Sequence, residues 1–165
     1  MNLKKLTLSA FFLALGMVLP FLTGQIPQIG SMLSPMHFPA FLCGMICGWQ
    51  YGAIIGFIMP LLRFALFNMP PIFPTGIAMA FELATYGAIS GLLLKKDVTN
   101  IKKIYFALII AMIVGRISWG IVSYILTQIN LEIFITSGFI SAIPGIIIQL
   151  LTIPFIVKIV SKHIK

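Results

Sequence analysis

GIAMAFELATYGAISGLLL, running from Gly76 to Leu94, is the stretch on which the fold turns. It is close to the ~20 apolar residues that a helix needs to cross a bilayer, and it holds a single formal charge, Glu82. An ionised side chain at the centre of a membrane helix costs at least ~2.5 kcal/mol, so its default reading is a functional site. Reading outward, the flanking apolar runs each carry one arginine, Arg63 upstream and Arg116 downstream. The lysines (Lys4, Lys5, Lys95, Lys96, Lys102, Lys103, Lys158, Lys162 and Lys165) fall outside these runs, at the N-terminus, in one hydrophilic loop and at the C-terminus.

The composition fits that reading. With 60% hydrophobic and 8% charged residues, the chain is an all-α integral membrane protein, and its 165 residues suffice for a single membrane domain spanning 1–165. The net charge of +8 does not call for nucleic acid, because the lysines flank spans and form no basic face with interleaved aromatics. The opening Met1 to Lys5 and the apolar run to Leu19 resemble a signal peptide. No small-x-small cleavage pattern follows, so the segment reads as a retained first span. Cys43 and Cys47, four apart in an apolar run, read as small packing residues rather than a disulfide or zinc site.

Pro-rich or polar breaks divide the chain into six spans: about Leu6 to Leu19, His37 to Gly48, Tyr51 to Phe67, Gly76 to Leu94, Ile104 to Thr127 and Ser137 to Val157. The second is short and is separated from the third only by a hinge at Trp49-Gln50. Merging the two would give about thirty residues, beyond the usual ~17–25. It would also put the Lys95–Lys103 loop and the C-terminal lysines on opposite sides from the N-terminal pair. Six spans place every lysine on one face and leave the loops Pro20 to Met36, Asn68 to Thr75 and Gln128 to Thr136 without any. The positive-inside rule therefore predicts six transmembrane helices with both termini cytoplasmic.

That topology places the intramembrane polar groups in the outer half to middle of their spans. Helical spacing predicts facing stripes: Thr75, Met79, Glu82, Tyr86 and Ser90 on span four; Arg116, Trp119, Ser123 and Thr127 on span five; Ser141, Gly145, Gln149 and Thr152 on span six. Such stripes would enclose a pocket open to the outside. One carboxylate cannot neutralise two guanidinium groups, so one arginine is expected on Glu82 and the other, with its bidentate fork, on an acidic small molecule. The spacing does not say which does which. The candidate substrate-contacting residues are thus Arg63, Glu82, Tyr86, Arg116, Trp119 and Gln149, with His37 at the mouth. Gly87 and Gly91, and Gly44, Gly48, Gly52 and Gly56 at every fourth position, mark close helix approach. No phosphate loop, HExxH or GxSxG motif is present, and Met32, Met36, His37 and Met45 do not make a metal site. No catalytic residue, metal or bound cofactor is predicted, and the chain does not read as an enzyme.

The whole chain resembles the substrate-binding S components of energy-coupling factor (ECF) transporters, vitamin importers of the bacterial cytoplasmic membrane. The resemblance rests on the six-span pattern, the long first outer loop and the small-residue motif Ala10-Phe-Phe-Leu-Ala14 in span one. It implies that Ala10 and Ala14 dock on a transmembrane coupling subunit driven by two ATPase subunits, so that ATP is used by partners and not by this chain. The stretches Leu33 to His37, Pro60 to Arg63, Asn68 to Pro71 and Ala80 to Gly87 resemble the pantothenate subgroup. They add Asn68 to the candidate residues and make Met32 to His37 part of a lid. Two rival readings remain from the residues: a self-sufficient secondary carrier for a small anionic solute, and a non-transport structural membrane protein with a salt-bridged core.

Overall fold

The computed structural model describes residues 3–23, 27–94 and 100–164. The chain is helical, with no strand among the described residues: α1 Leu3–Val18, α2 Pro27–Leu33, α3 His37–Cys47, α4 Trp49–Phe67, α5 Ile77–Leu94, α6 Ile101–Thr127, α7 Leu131–Ile135 and α8 Ile143–Ile164. Five segments are long and apolar enough to cross a membrane: Leu3–Leu22, Trp49–Phe67, Ile72–Leu94, Ile101–Thr127 and Ile143–Val160. The second expected span differs. With 11 residues, α3 is about 16 Å long, roughly half of the ~30 Å hydrocarbon layer.

α3 nevertheless sits at the centre. Pro39, Ala40, Phe41, Leu42, Cys43, Gly44 and Met45 are buried in turn, so the helix is covered on every side, chiefly by α5, α4 and α1. It does not run on into α4. The chain reverses at Gly48, whose φ of 109° and ψ of 163° lie in a region essentially reserved for glycine. The hinge is therefore Gly48, and Trp49 and Gln50, expected as the hinge, are the first residues of α4. Two polar side chains suggested a break there, but the reversal depends on a backbone conformation that Trp and Gln cannot supply.

The glycine repeat is where α3, α4 and α5 touch. A methyl group at Gly44 would fall on the Gly87 carbonyl, one at Gly87 on the Gly52 carbonyl, and one at Gly56 on the Leu83 carbonyl. At Gly91 it would meet the Gly44 carbonyl and the Trp49 backbone. Gly48, although in register, has nothing within 4 Å and serves only the turn. Around this contact pack Phe12 and Met17 of α1, Ile104, Leu108 and Met112 of α6, and Ile153 and Val157 of α8.

The loops are more structured than expected. The Pro20–Met36 break contains a 3-10 turn, Leu19–Thr23, and α2. The expected outer loop Gln128 to Thr136 contains α7, nucleated by Asn130, whose side chain accepts the Ile133 N–H at 2.9 Å. Span six starts later than expected, at Ile143, after a wide turn over Thr136–Ile140. Lys95, Lys96 and Lys165 lie outside the described residues, as does the side chain of Lys162; Lys4, Lys5, Lys102, Lys103 and Lys158 are exposed.

Two glycine substitutions separate these roles. Gly87→Ala is expected to lower the melting temperature in detergent sharply and to broaden the monodisperse peak, because backbone cannot yield to a Cβ. Gly48→Ala should cost about 1–3 kcal/mol through φ alone. Gly48→Asn should not rescue it, since the tolerance of Asn lies in the left-handed helical region and not at this ψ.

Candidate substrate-binding site

α3, α5 and α6 bring His37, Glu82, Tyr86 and Arg116 together. Glu82 and Tyr86 are one helical turn apart on α5, and the Tyr86 hydroxyl donates to Glu82 Oε1 at 2.6 Å. Arg116 Nη1 lies 2.8 Å from the same oxygen. The other oxygen, Oε2, is 3.9 Å from His37 Nε2, the first residue of α3. Exposure is 1% for Glu82, 3% for His37 and 8% for Arg116, so the pair is held in a medium where its Coulomb attraction is strong and its desolvation costly.

The ring of Tyr86 fixes the geometry. Phe41 stacks on it at 4.5 Å and 27°, and the His37 ring meets it edge-on at 5.0 Å. Gly115 of α6 lets it approach, because a methyl group there would strike Tyr86 Cε1. Phe41, fully buried beneath the cluster, was missed in the sequence; its signal was the i, i+4 spacing from His37 on one helix face. His37 itself is buried in the cluster rather than at a solvated mouth.

The two arginines are not equivalent. Arg63 donates to the Met17 carbonyl near the C-terminus of α1 and stands between the rings of Phe21 and Phe67, 5.0 and 5.2 Å from its guanidinium carbon. Carbonyls at a helix end lack intrahelical donors, so Arg63 is an interhelical cap tying α4 to α1. The arginine on Glu82 is Arg116.

The remaining candidates lie apart. Trp119 stacks on Phe134 of α7 at 6.2 Å. Asn68 is exposed and ends α4 with φ of 55°, its N–H on the Phe64 carbonyl. Gln149 is buried on α8. The outer members of the expected stripes, Thr75, Thr127 and Ser141, are exposed, whereas Glu82, Tyr86, Ser90, Arg116, Ser123 and Gln149 are buried. Of the expected lid, Met36 and His37 are buried and Met32 is exposed, while the Met32 and Leu33 carbonyls rest on α8 where Gly145 leaves room. A groove of about 330 Å³ lies elsewhere, between Tyr105 of α6 and Phe155 and Lys158 of α8, far from these charges. Among the described residues no three His, Cys, Asp or Glu side chains converge as a metal site would need.

A family model described as "ECF transporter, substrate-specific component" matches residues 4–161. The chain belongs to that family. It is a substrate-specific membrane subunit of a transporter and not an enzyme, and the family implies a substrate and an ECF module of coupling and ATPase subunits. No curated protein and no solved structure matches the chain.

The ion pair makes a direct stability prediction. Glu82→Gln leaves Arg116 buried without its counter-charge and is expected to destabilise the S component by about 3–5 kcal/mol. Glu82→Gln combined with Arg116→Gln should cost less than the sum of the single changes. Detergent melting curves of the four proteins in a double-mutant cycle measure the coupling.

Proposed function

We propose that this S component captures pantothenate, or a closely similar carboxylate vitamin, from outside the cell. It then delivers the vitamin by docking on a coupling subunit energised by two ATPase subunits. The observation that carries the substrate class is the Arg116–Glu82 pair beneath the Met36-His37 segment. Glu82 takes Nη1, and a guanidinium fork carries further donors suited to a ligand carboxylate. The Tyr86 hydroxyl is on hand for a hydroxyl or amide of such a ligand. With Arg116 at 8% exposure, entry requires the Met32–His37 lid to lift.

In this reading the chain crosses the bacterial cytoplasmic membrane six times with both termini inside, α3 being the short crossing. The described lysines support it, since Lys4 and Lys5 open α1, Lys102 and Lys103 open α6 and Lys158 lies toward the end of α8, the helix ends that six crossings put on one side. Ala10 and Ala14 are exposed on α1, which supports a docking face there. ATP is used by the partner subunits, and this chain holds no cofactor.

Three measurements test the reading. Native mass spectrometry of the purified chain should reveal co-purified pantothenate, and added pantothenate should raise the melting temperature. Arg116→Ala should abolish that shift, whereas Arg63→Ala should lower the melting temperature of the free protein and keep the shift; equal loss in both would return Arg63 to the site. For topology, cysteines replace Phe73, Leu131 or Lys102 in a chain carrying Cys43→Ala and Cys47→Ala. An impermeant maleimide should label Phe73→Cys and Leu131→Cys on intact cells, and Lys102→Cys only after permeabilisation. Labelling of Lys102→Cys on intact cells would contradict six crossings.

A further inference from the structure

The charge count of the buried cluster constrains what binds there. Glu82 and Arg116 cancel at 2.8 Å, and with His37 neutral the cluster has no net charge. The second intramembrane arginine is not part of this cluster, because Arg63 keeps its charge on the Met17 carbonyl between Phe21 and Phe67. A carboxylate ligand entering on Arg116 therefore brings an uncompensated negative charge into a site whose residues are 1–8% exposed. Burying such a charge costs several kcal/mol unless a counter-charge arrives with it.

His37 is positioned to supply it. Its Nε2 is 3.9 Å from Glu82 Oε2, whereas Arg116 Nη1 is on Oε1. Protonation turns both ring nitrogens into donors. We infer that a carboxylate ligand and one proton bind this S component together, the proton residing on His37. The inference rests on the reading that Arg116 receives the ligand. In the loaded site Arg116 is shared between Glu82 and the ligand carboxylate, and Glu82 Oε2 faces an imidazolium. Two anions and two cations then balance.

Among the described residues, no other group facing His37 offers the same service. From α5 come Glu82 and Tyr86, and from α6 Arg116. α4 contributes Arg63, turned to Met17, and Tyr51 at its far end. Lys4 and Lys5 of α1 lie toward the end where Ser9 meets Cys43, 3.6 Å away, and Cys43 and Cys47 are further along α3 itself. α2 has no titratable residue, and those of α8, Lys158, Lys162 and His163, fall in its last seven residues.

The sign of the linkage follows. A proton taken up on binding makes affinity rise as pH falls, by up to about tenfold per pH unit while His37 is neutral in the free protein and charged in the complex. Isothermal titration of the full-length chain in detergent with pantothenate, in phosphate and in Tris at one pH, reads the proton directly. The observed enthalpies should differ by the difference in buffer ionisation enthalpy times about one proton, as linkage requires. His37→Gln should bind more weakly and lose both the buffer difference and the pH slope. Binding with equal enthalpies in the two buffers overturns the inference and leaves the Arg116 reading standing. Proton uptake that persists in His37→Gln also overturns it, by assigning the proton to Glu82. No response to pantothenate or to other carboxylate vitamins removes the substrate reading and the inference together.

Discussion

Backbone contact among α3, α4 and α5 is the constraint on which the rest of the structure depends. Inside a bilayer, apolar side chains gain little by leaving lipid for one another, so helices associate through close packing and polar contacts. Gly44, Gly52, Gly56, Gly87 and Gly91 remove the side chains that would hold the three backbones apart. The contact also sets the site. Gly44 meets Gly87, and α3 and α5 run the same way from that point. His37 then stands about 10 Å and Glu82 about 7 Å along their helices on the same side of it, with Phe41 and Tyr86 stacked between. A looser crossing would leave the histidine and the carboxylate too far apart to interact.

The arginines show how one residue type takes two roles by position. Arg63 lies one turn from the end of α4, where the last carbonyls of α1 lack donors and two phenylalanine rings offer their faces. Its charge is absorbed by backbone and aromatic surface. Arg116 lies deeper, opposite the one carboxylate within the long apolar helices. Pairing there relieves two desolvation penalties at once, and the Tyr86 hydroxyl takes a further lone pair of Glu82.

Much of this was legible in the sequence because hydrocarbon is a severe solvent. The apolar runs gave α1, α4, α5 and α6 to within a few residues and α8 with both ends displaced by about two turns, and the isolated charges marked the polar interior. What one sequence does not encode locally is partner choice. Arg63 and Arg116 look alike as isolated charges in apolar runs, and only the packing of α1 and α6 distinguishes them. The hinge was misplaced by one residue because Trp49 and Gln50 were read by polarity, while the turn is decided by the backbone freedom of Gly48. α7 left a readable sign in Asn130, a residue suited to capping, but five residues between two spans do not stand out by periodicity. Polar stripes also do not encode which groups pair: Glu82 takes both the Tyr86 hydroxyl and Arg116, a choice set by the packing of α5 on α6.

Opening space for a ligand and altering the charge of the site involve the same residue. Ser34, with φ of 46°, turns the chain between α2 and α3, and Met36 is buried directly before His37. α2 is anchored on the far side by carbonyl contact with α8 at Gly145. The segment proposed as a lid is thus held at one end by backbone packing on α8 and at the other by a histidine in the ion-pair network. A movement of the lid large enough to admit a ligand displaces His37 from Glu82, and a protonated His37 is drawn back to that carboxylate. On the proposed reading, closure over an anion is favoured by the same attraction that balances its charge, which would link capture of the ligand to closure of the site without any added element.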